Sequence, residues 1–133
     1  MNTEKFLIDT SIWVKYLRGM DESVRDRLST LVLKNCAYTT DIIIMEILRG
    51  AKSEKEYKML YNDFLALPEL SINKEVWELS WRNAYKLRKK GLNIPMADVI
   101  IASTAAHYDC TLIHSDRHFP LTEKHLNLKT IKM

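Results

Sequence analysis

The sequence predicts an α/β fold, a parallel sheet covered by helices on both faces. Three observations lead there. Short apolar runs alternate with helical patterns, several of ten or more residues, the order expected of strands joined by crossover helices. The strand-like runs are apolar without polar alternation, as in strands buried on both sides. The 133 residues hold no internal repeat, linker or low-complexity stretch, so they read as one domain, 1–133, at roughly 100–200 residues per domain.

Each element has its own signal. Phe6-Leu7-Ile8 is a first strand, ending at Asp9. Thr10 and Ser11 supply N-cap chemistry for a helix through Trp13, Val14 and Leu17 that stops near Gly19. A second helix fits Asp21 to Leu33, with Val24, Leu28, Leu31 and Val32 on one face. Cys36 to Thr39 reads as a second strand. Thr40 or Asp41 then caps a helix from Ile42 to Arg49, with Gly50 as its stop. Ser53 to Leu65 is a fourth helix, ended by Pro68, and Leu70-Ser71-Ile72 a third strand.

Asn73 opens a long helix. The pattern sends Val76, Trp77, Ser80, Trp81, Ala84, Tyr85 and Leu87 inward, and Arg82, Lys86, Arg88, Lys89 and Lys90 outward, up to Gly91. Pro95 precedes a helix from about Met96 to Tyr108 that is apolar almost all round, which predicts burial. Thr111-Leu112-Ile113 is a fourth strand, ending at His114-Ser115-Asp116. Leu128 to Ile131 is a weaker last one.

Composition excludes several classes. No apolar run approaches the roughly 18 residues of a membrane span. Met1-Asn2-Thr3-Glu4-Lys5 lacks a basic segment followed by an apolar one, so no secretory leader is expected there. Cys36 and Cys110 are too few for a disulfide scaffold and fit two small buried thiols in a reduced, cytoplasmic compartment. The charge of +3, from 20 Lys+Arg against 17 Asp+Glu, permits an anionic partner where bases cluster but does not demand one.

Four acids stand in costly places. Asp9 and Asp116 each end a strand, Glu46 lies among isoleucines within a helix, and Asp98 sits in the first turn of the apolar helix. Each has an ordinary alternative. Asp9 can cap a helix, Asp98 can answer a helix dipole, Asp116 can be a turn residue, and Glu46 can pair with Arg49 or Lys52. Strand order supplies a common explanation. In parallel sheets ligands bind beyond the carboxyl ends of strands, where all four acids are expected to meet. Converging carboxylates repel, and Mg²⁺ or Mn²⁺ relieves them. An all-oxygen donor set argues against zinc. A pair of such ions hydrolyses phosphodiesters, and the bases Lys15, Arg18, Arg49, Lys52, Arg117 and the Lys86 to Lys90 run are candidates to hold the flanking phosphates of RNA. His118 is a candidate to assist at a phosphate or leaving group.

The residues resemble the PIN-domain family, and within it the VapC-type toxin ribonucleases. The likeness is carried by Leu7-Ile8-Asp9-Thr10-Ser11, Thr40 through Glu46-Ile47-Leu48-Arg49-Gly50, Pro95-Met96-Ala97-Asp98-Val99-Ile100-Ile101-Ala102, and Ser115-Asp116-Arg117-His118-Phe119. It implies a sheet of order 3-2-1-4-5 and Mg²⁺- or Mn²⁺-dependent endoribonuclease action. It carries the catalytic and metal-binding acids onto Asp9, Glu46, Asp98 and Asp116, with supporting hydroxyls at Thr10 or Ser11 and at Thr40. It also implies a homodimer held inactive by a cognate antitoxin, whose C-terminal segment lies in a groove near the site. The chain departs from many relatives at Ile43, where they carry a hydroxyl, and at His118, where they carry an acid.

Two other readings compete. One is a phosphatase using Asp9 as nucleophile, although Asp9-Thr10-Ser11 lacks the second acid of an Asp-x-Asp motif. The other is a non-catalytic module binding nucleic acid or a partner protein through the Trp77/Trp81 helix.

Overall fold

The computed structural model describes residues 4–19 and 21–133, so Met1–Thr3, where the leader was sought, lie outside the described residues. The chain runs β1 (Phe6–Ile8), α1 (Thr10–Arg18), α2 (Glu22–Leu33), β2 (Ala37–Tyr38), α3 (Asp41–Arg49) and α4 (Glu54–Leu65). It continues through α5 (Lys74–Lys89), α6 (Met96–His107), β3 (Thr111–His114), α7 (His118–Glu123) and β4 (Lys129–Lys132). All strand pairs are parallel, in the order β2-β1-β3-β4.

Strand β1 lies between β2 and β3, in register with Leu112 at Leu7 and Ile113 at Ile8. The chain leaves β1 to one side toward β2 and returns on the other side as β3, so strand order reverses at the β1–β3 seam. A crevice opens beyond the carboxyl ends of two such strands. The core beneath it is Leu7, Ile8, Ile12, Ile43, Ile101, Leu112 and Phe119, all buried. Helix α6 is buried as its all-round apolarity requires, from Ile101 through Ala105. Its polar Ser103 accepts a hydrogen bond from Asn83 Nδ2 at 2.9 Å.

Cap chemistry sets the helix starts. Asp21, Ser53 and Asn73 each accept a backbone N–H of the following turn. Helix α1 ends at Gly19 in the left-handed region, φ 62°, where a Cβ would also stand 2.9 Å from the Arg25 guanidinium.

Four expectations need correction. Leu70-Ser71-Ile72 is not a strand. One isolated parallel bridge, Thr39 to Glu69, stands beside β2, so of the four to five strands expected the sheet has four, without the edge strand of the 3-2-1-4-5 order. The stretch is two bonds long, Thr39 N to Pro68 O and Leu70 N to Thr39 O, before Asn73 commits the chain to α5. Second, Trp77, Trp81 and Tyr85 point outward, at 37%, 56% and 59% exposure. Helix α5 has one packing neighbour of consequence, α6, and offers it the narrow stripe Val76, Ser80, Asn83 and Leu87. The small Ser80 and the Asn83–Ser103 bond favour close approach there, which leaves the adjacent aromatic stripe outside. Third, Val32 is exposed, because α2 buries only Val24 and Leu28 fully. Fourth, the short helix α7 was not anticipated; it buries Phe119 and Thr122 under the acidic rim.

Candidate active site

Asp9 follows the last residue of β1, and its N–H donates to Ile113 O at 2.9 Å, so the pairing with β3 carries one step past the strand. It does cap α1: its Oδ2 accepts the Ser11 N–H at 3.0 Å and the Ser11 hydroxyl at 2.5 Å. Capping keeps the carboxylate on the rim rather than removing it. The Ser11 hydroxyl also accepts the Ser115 N–H at 2.9 Å, which ties the end of β1 to the segment after β3.

Glu46 lies in the second turn of α3, half-buried. Its Oε1 accepts the Thr10 hydroxyl at 2.6 Å, and it pairs with neither Arg49 nor Lys52 among the described residues. Thr40 is not brought to the acids. Its hydroxyl donates to the Leu70 carbonyl at 2.6 Å and fastens the start of α3 to the sheet edge.

Asp98, in the first turn of α6, places Oδ2 2.9 Å from His118 Nδ1. Asp116 Oδ1 accepts the His118 N–H at 2.9 Å and stands 3.1 Å from the same Nδ1. The Asp116 N–H donates to His114 Nδ1 at 3.2 Å. Sequence reasoning missed His114, buried at the end of β3, and offered His118 only as an assistant at a phosphate or leaving group, whereas its ring stands against Asp98 and Asp116. The available signal was spacing alone: His118 is two residues past Asp116, the reach of a side chain folding back over its own turn.

The electrostatics couple the acids pairwise. Asp9 is 4% exposed, and burial pushes its carboxyl above the ordinary 3.8. The Ser11 bonds oppose that rise, while the charges of Glu46 and Asp116 add to it. Asp98 is pushed up to about 6, first by burial and then by Asp116, with Asp9 adding and His118 opposing. Both raised carboxyls thus feel the charge of neighbouring acids on top of their burial. Burial pulls the His114 imidazole down, which favours the neutral ring that accepts the Asp116 N–H.

The donors present suit a hard or borderline dication: four carboxylates and one imidazole, with no thiol. Asp98, Asp116 and His118 each offer one ligand atom, all within 4.8 Å of one another. Cys36 and Cys110 lie before β2 and β3, at the opposite, amino end of the sheet; Cys110 is buried as expected, but Cys36, at the sheet edge, is only half-buried.

Residues 6–124 match the family described as PIN domain. The chain belongs to the PIN-domain family. Among curated proteins it is 27% identical over 127 residues to the VapC ribonuclease Mb1587 of Mycobacterium bovis and to ribonuclease VapC11 of Mycobacterium tuberculosis, covering 92% of this chain and 95% of each relative. Its fold is that of solved structures. VapBC2 from Rickettsia felis, bound to a DNA fragment from its promoter, superposes with a TM-score of 0.80 at 22% identity over 96% of this chain and 98% of that one. The DNA-bound VapBC of Salmonella typhimurium gives 0.81 at 18% identity, covering 97% and 98%.

Around this PIN-domain rim the basic candidates divide. Arg18 and Lys52 line a cleft of about 330 Å³ between α1, α3 and α4 that also includes Glu46. Arg117 is exposed between Asp116 and His118. Lys15 is tied down, donating to the Met133 carbonyl at 3.2 Å. Arg49 lines a different groove, with Asp41, Ile44 and Tyr57. Lys86, Arg88, Lys89 and Lys90 are exposed at the carboxyl end of α5. Among the described residues no helix is long and apolar enough to cross a membrane.

Proposed function

We propose that this PIN domain, residues 1–133, is a divalent-metal-dependent endoribonuclease and the toxin of a type II toxin–antitoxin pair. The observation that supports the reading is that burial raises the Asp9 and Asp98 carboxyls and that the charges of Glu46 and Asp116 raise Asp9 further, while those of Asp116 and Asp9 raise Asp98. Relatives named as ribonucleases support it.

The chain's own residues prepare the site. Ser11 orients Asp9, Thr10 aims Glu46, and the His114 and Ser115 backbone contacts hold Asp116 at the same rim. Burial and Asp116 hold the Asp98 carboxyl up at about 6, and it would have to be ionised to hold a cation. Bound Mg²⁺ or Mn²⁺ supplies an activated water and charge stabilisation at the leaving oxygen of a phosphodiester. Arg18, Lys52 and Arg117 would hold flanking phosphates, and His118 stands against Asp98 and Asp116. The acid arrangement favours this over the Asp9-nucleophile reading, because Ser11 occupies Asp9 Oδ2 twice over.

The cleft beside Glu46 is the groove we assign to an antitoxin segment, which would cover Glu46, Arg18 and Lys52 together. The outward rings of α5 support a homodimer, and the two thiols without a disulfide suit a cytoplasmic setting.

Incubating the purified protein with total RNA, with Mn²⁺, Mg²⁺ or EDTA, and mapping cut ends tests the reading. Defined internal cuts that need the ion are expected. Equal cleavage in EDTA, or equal cleavage by folded Asp98→Asn protein, overturns it.

A further inference from the structure

The imidazole in the acid cluster bears on which ion the site selects, an inference that rests on the metal-dependent reading above. His118 Nδ1 stands 2.9 Å from Asp98 Oδ2 and 3.1 Å from Asp116 Oδ1. A single ring nitrogen carries one proton or one lone pair, so it cannot serve two carboxylates equally by hydrogen bonding. The separations also match another role. Neighbouring ligands at right angles on an ion, with bonds of roughly 2.1 Å, stand about 3 Å apart.

The surroundings hold His118 in this position. Its own N–H is bound to Asp116 Oδ1 at 2.9 Å, which folds the turn so that ring and carboxylate face the same hollow. Its neighbour Phe119 is fully buried and packs on the His114 ring at 5.1 Å between centroids. The side chain is 28% exposed, open enough to reach an ion and enclosed enough to keep its rotamer.

We infer that His118 is a metal ligand alongside Asp98 and Asp116, and that its nitrogen makes this site select Mn²⁺ over Mg²⁺. Mg²⁺ holds to oxygen donors and octahedral geometry, whereas a first-row transition dication takes imidazole and carboxylate together. An all-oxygen version of the same hollow would lose that preference. On this inference the corner of the rim offers two carboxylate oxygens and one nitrogen, where the sequence suggested oxygens alone.

The test measures binding rather than cleavage. Mn²⁺ is titrated into RNA-free protein and followed by electron paramagnetic resonance, and Mg²⁺ affinity is read by its displacement of Mn²⁺. Electron spin echo modulation of the bound Mn²⁺ reports coupled ¹⁴N. Wild-type protein is expected to show imidazole ¹⁴N coupling, and His118→Asp to lose it. The Mn²⁺-to-Mg²⁺ affinity ratio is expected to fall by about 10-fold or more in His118→Asp, the scale at which ligand-shell changes act. His118→Ala, compared by circular dichroism and melting, separates ligand loss from misfolding. Bound Mn²⁺ without nitrogen coupling, or an unchanged ratio in His118→Asp, overturns the inference and leaves the ribonuclease reading standing. Failure of wild-type protein to bind either ion overturns both.

Discussion

The two halves of the rim hold their acids by different means. On the β1 side, Asp9 and Glu46 are gripped by hydroxyls, Ser11 at 2.5 Å and Thr10 at 2.6 Å. On the β3 side, Asp98 and Asp116 share an imidazole, His118 Nδ1. Hydroxyls are neutral donors whose strength does not change with pH in the working range, so they fix geometry and favour the charged carboxylate. An imidazole can donate, accept or ligate. The first half is therefore built for placement, and the second for exchange between a proton and a cation.

The largest effect is expected on the exchange side. Asp98→Asn keeps size and removes the charge that faces Asp116 and Asp9. Cleavage should fall by roughly 10³-fold or more, beyond the 10–100-fold typical of losing a supporting partner. Single-turnover assays on total RNA read this, with circular dichroism to confirm the fold. A loss under about 10-fold would place Asp98 on the supporting side and dissolve the contrast.

Next comes Ser11→Ala on the placement side. The hydroxyl lowers the Asp9 carboxyl that burial raises, so its loss should move Asp9 further up. Activity is expected to drop by about 10–100-fold. The drop should be larger at pH 6 than at pH 9, because a higher pKa demands a higher pH for ionisation. A pH–rate profile lowered by the same factor throughout would mean that Ser11 acts only through its link to Ser115. Thr10→Val should cost less, about 10-fold, since Glu46 keeps its place on α3 and loses one donor, with Thr10→Ser restoring activity.

The same contrast explains what could be read from sequence. Asp9 was legible because a fully apolar strand must end somewhere, and an acid at its carboxyl end falls on the rim in any parallel sheet. Asp98 was legible because an acid in an otherwise apolar helix has one ordinary reason to be there, the dipole of the first turn, and the strand order offered a second. Thr10 and Ser11 were legible as near neighbours. What the sequence hides depends on packing at a distance. Val76/Ser80/Asn83/Leu87 and Trp77/Trp81/Tyr85 are two adjacent stripes of nearly equal period, and only the fit of Ser80 and Asn83 against α6 decides which one is buried. The strand at Leu70 shrank to a bridge because a backbone ladder requires a partner run longer than β2 provides. Helix α7 has six residues with Pro120 inside, too short for periodicity to register. His118 became a member of the rim only through that helix.

The smallest effect, a shift in stability with pH, tests whether the exchange side stores repulsion when no cation is bound. Asp98 rises from 3.8 to about 6 on folding. The native state therefore holds a proton that the unfolded chain has already lost in that window. The carboxyl favours folding below pH 3.8 and loses that contribution as pH climbs through about 6. In a chelator at pH 8, wild-type protein carries the full charge in a buried place, and Asp98→Asn does not. The variant should melt higher there by about 3–6 °C. At pH 5 the native carboxyl has its proton back but the unfolded chain has lost its own, so about half of that difference should remain, and the curves should converge only as pH falls below 3.8. Saturating Mn²⁺ at pH 8 should reverse the order, because only the wild type gains full stability from the ion. A difference in melting temperature that is equal at pH 5 and pH 8 would show that Asn acts through packing or helix propensity. The acids of the β3 side would then be held by structure alone, as Ser11 and Thr10 hold those of the β1 side.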